Sequence, residues 1–209
     1  MKQMKQSVSR LGVLGGSFDP VHIAHLLMAE TVREALSLDL VLFVPAGVQP
    51  LKQARPVTPA EHRVKMLELA LRGNHHFGIS HVDVDREGPS YTVDTLRQLR
   101  EKWGGALDMW FILGADSLAS FPMWRDPQGI LSQARLAVVR RPGVSVDMAA
   151  LEAQIPALGA SVDLIDAPLV EVSATDVRRR VATGQSIRYR VIEAVREYIE
   201  AHDLYRGGS

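Results

Sequence analysis

Two histidines follow a pair of glycines where an apolar run gives way to a helical pattern. Residues 15–25 read GGSFDPVHIAH, after an apolar run at 11–14 and before apolar residues at helical spacing over 23–36. Glycine lets a backbone approach an anion closely, and a helix N-terminus offers free N–H groups and a positive dipole end. His22 and His25 share one face of the first turn, so both can donate to one anion. The spacing predicts a phosphate-binding turn.

The histidine pair admits two other interpretations. It can cap the helix as an ordinary structural pair, or it can bind zinc, although zinc needs a third and usually a fourth ligand that the sequence does not place. The adjacent glycines exclude a G-x-G-x-x-G dinucleotide turn, and a Walker A loop is excluded because no Gly-Lys-Ser/Thr follows. Phosphate contact is favoured because it also explains the glycines.

The segment resembles the G-G-[ST]-F-D-P-x-H-x-G-H signature of the nucleotidylyltransferase superfamily, and along the chain the likeness is to its bacterial nicotinate-nucleotide adenylyltransferase family. One departure is Ala24, which stands where the family usually has glycine. Its methyl group narrows the space beside the nucleotide and leaves both imidazoles in place. The resemblance implies that Ser17 and Phe18 border both substrates. The implied ATP contacts in this segment are Gly15, Gly16, Ser17, Phe18, His22 and His25.

A lysine ends the loop that follows the second apolar run. This loop, residues 45–52, reads PAGVQPLK, and a lone lysine in a Pro-rich loop is ordinarily a solvated charge. The family tends to carry P-x-H-K here, which implies that Lys52 reaches the triphosphate and borders the acceptor. Leu51 stands in place of the histidine, so the role of that histidine does not transfer.

A late segment, residues 173–178, reads SATDVR and opens a predicted helix. Ser173 with Asp176 three residues later matches a capping box in its acidic variant, and capping alone can account for both. The segment also resembles the family motif I-S-S-T-x-[IV]-R. That likeness implies that Ser173, Thr175 and Arg178 hold the outer phosphates of ATP, a task that suits the arginine fork.

Gly114 and Asp116 follow the apolar run at 107–113, again where a predicted strand ends. Asp116 can simply cap the next helix. Similarity to the G-x-D segment of the family implies instead that both residues approach the ribose of the nucleotide. The carboxylate would then help to order a metal ion or the sugar hydroxyls.

The candidate acceptor region combines an aromatic loop with a hydroxyl-rich helix start. Trp124, in the loop FPMWR at 121–125, is ordinarily a packing anchor, but an indole can also stack on a pyridine ring. The resemblance implies stacking on nicotinate. Arg125 either attracts the nicotinate carboxylate or faces solvent. Thr92 lies in a segment similar to the S-Y-T-x-[DE]-T of the family, and its hydroxyl either caps a helix or borders the same pocket.

These resemblances together imply transfer of AMP from ATP to nicotinate mononucleotide, giving nicotinate adenine dinucleotide and pyrophosphate in NAD biosynthesis. The acceptor phosphate has a second pKa of about 6 and is already ionised, so it can attack directly without a covalent enzyme intermediate. Catalysis then depends on positioning and charge stabilisation. The implied cofactor is Mg²⁺, bound mainly through the ATP phosphates. The implied catalytic residues are His22, His25, Lys52 and Arg178.

Three other acceptors and one other class of protein stay open at this point. Within the superfamily the acceptor can be nicotinamide mononucleotide, phosphopantetheine, or glycerol phosphate with CTP. The length and the late motifs argue against the last two. The departures at Ala24 and Leu51 keep open a nucleotide-binding module that does not turn over.

The composition excludes several kinds of partner. Lys plus Arg and Asp plus Glu are 24 each, and this balance gives no global field toward nucleic acid or anionic membrane. Cysteine is absent, which removes disulfides, thiolate metal sites and cysteine nucleophiles. The start of the chain lacks the apolar core of a signal peptide, and no run is long enough to span a bilayer. We expect a soluble cytoplasmic protein, and the sequence leaves a homo-oligomer open.

Apolar runs alternate with helix-periodic segments along the 209 residues. The runs lie at 11–14, 40–45, 77–84, 107–113, 135–140 and 161–165. The helical segments lie at 23–36, 59–72, 91–103, 115–132 in broken form, 147–155, 175–182 and 189–201. This order predicts an α/β fold, a doubly wound Rossmann-like parallel sheet with helices on both faces. We expect a single domain with residues 166–209 as a small C-terminal helical subdomain.

Overall fold

The computed structural model describes residues 8–48, 57–104, 107–140, 146–156, 158–168 and 170–207. Strands and helices alternate through these ranges. The strands are β1 (Arg10–Gly16), β2 (Leu40–Pro45), β3 (Phe77–Ile79), β4 (Asp108–Gly114), β5 (Arg135–Arg140) and β6 (Val162–Asp166). The helices are α1 (Ile23–Ala35), α2 (Ala60–Leu71), α3 (Thr92–Trp103), α4 (Ala115–Ala119), α5 (Pro127–Gln133), α6 (Met148–Gln154), α7 (Ala174–Ala182) and α8 (Glu193–Ala201).

The strands form one parallel sheet in the order β3-β2-β1-β4-β5-β6. The predicted doubly wound α/β fold is therefore confirmed. The direction of strand addition reverses between β1 and β4, and in such sheets ligands bind beyond the carboxyl ends of the strands at that reversal. The ends of these two strands carry the glycine pair and Gly114, so the topology brings two predicted motifs to one edge.

The core lies in two layers because successive residues of a strand point to opposite faces. Leu11 and Val13 of β1 pack on the face covered by α3 and α5. Leu14 lies on the other face, in a cluster shared with α1, α2, α7 and α8. The C-terminal helices therefore pack on the same core as the sheet. Within the described ranges, no helix is both long and apolar enough to cross a bilayer.

Two predicted boundaries are wrong. The strand predicted at 77–84 ends at Ile79, after which the chain turns and buries Asp83 beside Thr95, whose hydroxyl donates to its carboxylate at 2.6 Å. The last helix begins at Glu193 and not at 189, because Tyr189 has a left-handed φ of 63° that a helix cannot accommodate. The broken pattern over 115–132 is confirmed as two short helices separated by a 3-10 turn.

Candidate active site

The turn after β1 is a tightly packed loop around the ring of Phe18. Phe18 has a φ of 48° and is 1% exposed, and the Asp19–Pro20 peptide bond that follows is cis. Its ring lies edge-on to His25 at 5.1 Å and against Phe43 of β2 at 5.6 Å. A Cβ on Gly16 would lie 3.2 Å from this ring. The second glycine therefore makes room for the Phe18 ring inside the protein.

The two imidazoles stack at the start of α1. Their ring centroids are 3.7 Å apart with an interplanar angle of 24°, and His22 is 7% exposed. The His22 backbone N–H donates to Nδ1 of His25 at 3.2 Å. Because Nδ1 of His25 accepts this bond, the neutral ring carries its proton on Nε2, which is then the donor toward a ligand. The predicted shared face of the two side chains is confirmed.

The first amide of α1 is already used within the fold. The Ile23 N–H donates to the carbonyl of Arg190 at 2.9 Å, and the His25 N–H donates to the His22 carbonyl at 3.0 Å. An anion at this helix start would therefore not take the Ile23 amide. The expectation of free N–H groups at the helix start is wrong for these two amides.

The arginine of the late motif reaches the turn directly. Arg178 donates through Nη1 to the backbone carbonyl of Asp19 at 2.6 Å and through Nη2 to Oγ1 of Thr175 at 3.1 Å. The Ser173 hydroxyl accepts from the Asp176 N–H at 3.1 Å and caps α7. The structure thus brings the start of α7, with three predicted ATP contacts, against the turn that carries the histidines.

A buried polar network supports the turn. Asp19 and Arg63 are each 3% exposed. Asp19 accepts from the Tyr205 hydroxyl at 2.7 Å and from the Thr58 N–H at 3.4 Å, and Arg63 donates to the Ser17 carbonyl at 2.8 Å. Burial lowers the pKa of Arg63, while the Asp19 charge opposes that shift. Burial and Asp19 raise the pKa of Tyr205, so its hydroxyl stays a donor at neutral pH.

Sequence reasoning assigned no role to the three side chains of this network. Arg63 could have been noticed in the sequence, because it falls on the apolar stripe of α2 with Met66 and Leu67. A charged side chain on such a stripe needs a buried partner. Asp19 lies inside the signature without a role of its own. The contact of Tyr205 with Asp19 could not be predicted from local sequence, because the two residues are 186 positions apart.

The end of β4 carries the second nucleotide motif. Gly114 lies beside the methyl end of Met28, from α1, and a Cβ on it would be 4.0 Å from that atom. Asp116 is an exposed residue in the first turn of α4. Both residues therefore lie at the same edge of the sheet as the glycine pair. Their contact with a ribose stays a prediction.

Trp124 is a half-buried packing residue of the acceptor region. Its ring lies edge-on to Phe111 at 5.9 Å and to Phe121 at 5.5 Å, and its indole N–H donates to the Ser120 hydroxyl at 3.3 Å. The same Phe111 ring would lie 3.4 Å from a Cβ on Gly15. Phe111 therefore links the tryptophan to the glycine pair, and the packing role of Trp124 is confirmed.

Arg125 is exposed and also packs against an aromatic ring. Its guanidinium lies 4.4 Å from the ring centroid of Tyr91, a cation–π arrangement. Thr92 is the first residue of α3, next to Tyr91. The neighbouring Ser90 hydroxyl accepts from the Gly47 N–H at 2.9 Å. The structure thus brings Arg125 and the 90–92 segment together, and it joins that segment to the loop after β2. Lys52 and Leu51 lie outside the described residues.

Comparison with known proteins gives the family. A family model described as cytidylyltransferase-like matches residues 13–180. A probable nicotinate-nucleotide adenylyltransferase of Thermomicrobium roseum is 50% identical over 199 residues, which cover 95% of this chain and 92% of the relative. Another, of Roseiflexus sp., is 49% identical over 200 residues, which cover 96% and 100%. The chain belongs to the nicotinate-nucleotide adenylyltransferase family.

A solved structure with this fold also matches the chain. The nicotinic acid mononucleotide adenylyltransferase of Plasmodium falciparum, solved with NaAD, superposes with a TM-score of 0.76 over 94% of this chain and 97% of that chain. The identity is 18%, so this likeness concerns the fold. The membership expected from the signature is confirmed, with Ala24 in place of its usual glycine.

Within the described part of this adenylyltransferase-family chain, no group of three His, Asp or Glu side chains is arranged to hold a metal ion.

Proposed function

We propose that this chain transfers AMP from ATP to nicotinate mononucleotide, releasing pyrophosphate and nicotinate adenine dinucleotide. The observation that carries the proposal is the junction of the two phosphate motifs, where Arg178 of α7 donates to the Asp19 carbonyl at 2.6 Å, three residues before His22. A cationic fork and an imidazole pair at the sheet reversal form a site for a triphosphate. The family relatives carry the name of this activity.

The reaction is a direct in-line displacement at the α-phosphorus. The nucleophile is a phosphate oxygen of the acceptor, already ionised because its second pKa is about 6. A new phosphoanhydride bond forms as the bond to the pyrophosphate oxygen breaks. No general base is needed, and the rate depends on alignment and on stabilisation of redistributed charge.

Each cation or imidazole has a distinct part in that displacement. His22 hydrogen-bonds the α-phosphate, and His25 orients the triphosphate through Nε2, the position that its Nδ1 bond leaves protonated. Arg178 and Lys52 stabilise the leaving pyrophosphate. Ser173 and Thr175 complete the outer-phosphate contacts at the start of α7. The remaining proposed ATP contacts lie in the turn after β1 and at the end of β4: Gly15, Gly16, Ser17, Phe18, Gly114 and Asp116.

The acceptor lies on the side of Trp124 and Tyr91. Phe111 and Phe121 already hold the indole in place, so the side chain loses little conformational entropy when it stacks on the pyridine ring. Arg125, held over Tyr91, supplies the positive charge that a nicotinate carboxylate requires. Thr92 borders this pocket, and Ser17 and Phe18 separate it from the nucleotide. Nicotinamide lacks the carboxylate, so this arrangement favours nicotinate.

Mg²⁺ is the proposed cofactor, held by ATP phosphate oxygens and water. When bound, it neutralises phosphate charge and orders the triphosphate for displacement. Asp116, which is exposed in the first turn of α4, would help to order such a hydrated ion. We place the enzyme in the cytoplasm, in keeping with a chain that has no cysteine.

Pyrophosphate release tests the proposal. The purified chain is incubated with Mg²⁺, ATP or CTP, and one acceptor at a time: nicotinate mononucleotide, nicotinamide mononucleotide, phosphopantetheine or glycerol phosphate. The expected result is release with ATP and nicotinate mononucleotide, in amounts equal to the dinucleotide formed. Faster release with another acceptor would reassign the substrate. ATP binding without release in any mixture would identify a non-catalytic nucleotide-binding module.

A further inference from the structure

The C-terminal end of the chain holds the histidine turn from both sides. The Tyr205 hydroxyl donates to Oδ1 of Asp19 at 2.7 Å. The Arg190 carbonyl accepts from the Ile23 N–H at 2.9 Å. These contacts lie three residues before His22 and one residue after it. The stretch that presents this imidazole is therefore fixed at each end by residues far away in sequence.

Asp19 is the junction through which several elements meet. Its carboxylate accepts from Tyr205 and, at 3.4 Å, from the Thr58 N–H before α2. Its backbone carbonyl accepts from Arg178 of α7 at 2.6 Å. The residue is 3% exposed, so water does not easily replace a lost donor. Removing one tether therefore affects both the position of the turn and the carbonyl on which Arg178 rests.

We propose that Tyr205 is a positioning residue for adenylyl transfer, acting through Asp19 on the turn that carries His22 and on the carbonyl that holds Arg178. The inference rests on the proposed function. Donors that stabilise a transition state must be aimed at the charge as it develops, and small displacements cost rate. The loss of the tyrosine hydroxyl therefore lowers kcat more than it raises the KM for nicotinate mononucleotide.

Tyr205→Phe tests the inference, because it removes the hydroxyl and keeps the ring that packs on the core. We expect kcat to fall about tenfold, on the scale of one lost hydrogen bond to a charged group. The KM for nicotinate mononucleotide should change less than twofold. The matched control is Tyr198→Phe on α8, whose hydroxyl bonds Nδ1 of His62 at 2.9 Å and not a residue of the turn. Its kcat should stay within twofold of the parent.

A double-mutant cycle distinguishes action through Asp19 from a general loss of stability. Asp19→Ala removes the side-chain acceptor, so Tyr205→Phe should cause little further loss of kcat in that background. Hydrogen exchange supplies a readout that needs no turnover. Amides of residues 18–23 should exchange faster in Tyr205→Phe and at the parent rate in Tyr198→Phe.

Three outcomes overturn the inference: equal kcat in the two phenylalanine variants, additive losses in the cycle, or unchanged exchange across residues 18–23. Failure of the proposed function looks different. In that case the parent protein itself releases no pyrophosphate with nicotinate mononucleotide, while the exchange comparison still tests whether Tyr205 holds the turn.

Discussion

His22 and His25 form a stacked pair at the start of α1. The backbone N–H of His22 donates to Nδ1 of His25 at 3.2 Å, so the proton of the neutral ring lies on Nε2. His22 is itself buried, with 7% of its surface exposed. A satisfied capping pair and a ligand-binding pair are thus compatible. The local bond fixes the tautomer that donation to phosphate requires.

His22→Ala should lower kcat/KM by about a hundredfold, on the scale of losing a preorganised hydrogen bond to a transition-state oxygen. The fold should remain intact, which circular dichroism and thermal unfolding can check. Steady-state pyrophosphate release gives the rate. His75→Ala, at an exposed position after α2, serves as the control and should match the parent. An unaltered kcat/KM in His22→Ala would contradict the assignment.

Trp124→Ala should weaken the binding of nicotinate mononucleotide more than the binding of ATP. Loss of stacking on the pyridine ring should raise the KM for nicotinate mononucleotide about three- to tenfold. The KM for ATP, measured in the same variant, should change less than twofold. Because Trp124 also packs on Phe111 and Phe121, a purely structural role predicts equal changes in both constants. Equal changes would therefore argue against stacking.

At the level of elements, the site depends on how β1 and β2 are aligned. Asp39, just before β2, accepts from the backbone N–H groups of Ser9 and Arg10, each at 2.8 Å. These bonds join the start of β1 to the start of β2. The glycine turn lies at the opposite end of β1. The Asp39 hydrogen bonds therefore help to fix the β1–β2 register, and with it the position of the turn.

Asp39→Asn should destabilise the protein at neutral pH and have little effect in acid. Hydrogen bonds from the Arg10 and Ser9 N–H groups lower the pKa of Asp39. A lowered folded-state pKa gives stability that is present above the unfolded value, about 3.9, and is lost as pH falls through the folded value. The difference should be at most about 1 kcal/mol, because the site is exposed. Urea unfolding at pH 7 and pH 3 measures it, and a pH-independent difference would contradict it.

At the level of the whole molecule, the C-terminal helices are part of the main core. Val177 of α7 and Ile199 of α8 are fully buried in the cluster that also contains Leu14 and Phe43 of the sheet. The described residues after 166 therefore contribute both packing and tethers to the candidate site. A helical subdomain that shares this much of the core should unfold together with the sheet.

Ile199→Ala should lower the free energy of unfolding by about 3 kcal/mol, the cost of a cavity at a fully buried site. The urea transition should stay single with an unchanged m-value, because the two parts share one core. Glu197→Ala, an exposed position on the same helix, should change stability by less than about 0.5 kcal/mol. A separate early transition in Ile199→Ala would show that the C-terminal part unfolds independently.

Local spacing in the sequence was enough to predict the order of elements and much of the chemistry. Continuous apolar runs and helical patterns depend on neighbouring residues, so β2, β5 and the broken 115–132 region could be predicted without a fold. The parallel order then placed the carboxyl ends of β1 and β4 side by side. The glycine turn, the histidine pair and the Ser173 cap were predictable for the same reason.

The tertiary structure alone decided what supports that chemistry. Tyr205 meets Asp19 across 186 positions, and Arg178 meets the Asp19 carbonyl across 159. No periodic pattern encodes such contacts, since they depend on how helices and loops pack on the sheet. The same packing places the Arg190 carbonyl where it accepts a hydrogen bond from the Ile23 N–H. The sequence alone supplied the groups that we propose to bind phosphate, because their types and spacing are local, and the fold determined which backbone donors are already used and what holds the turn in place.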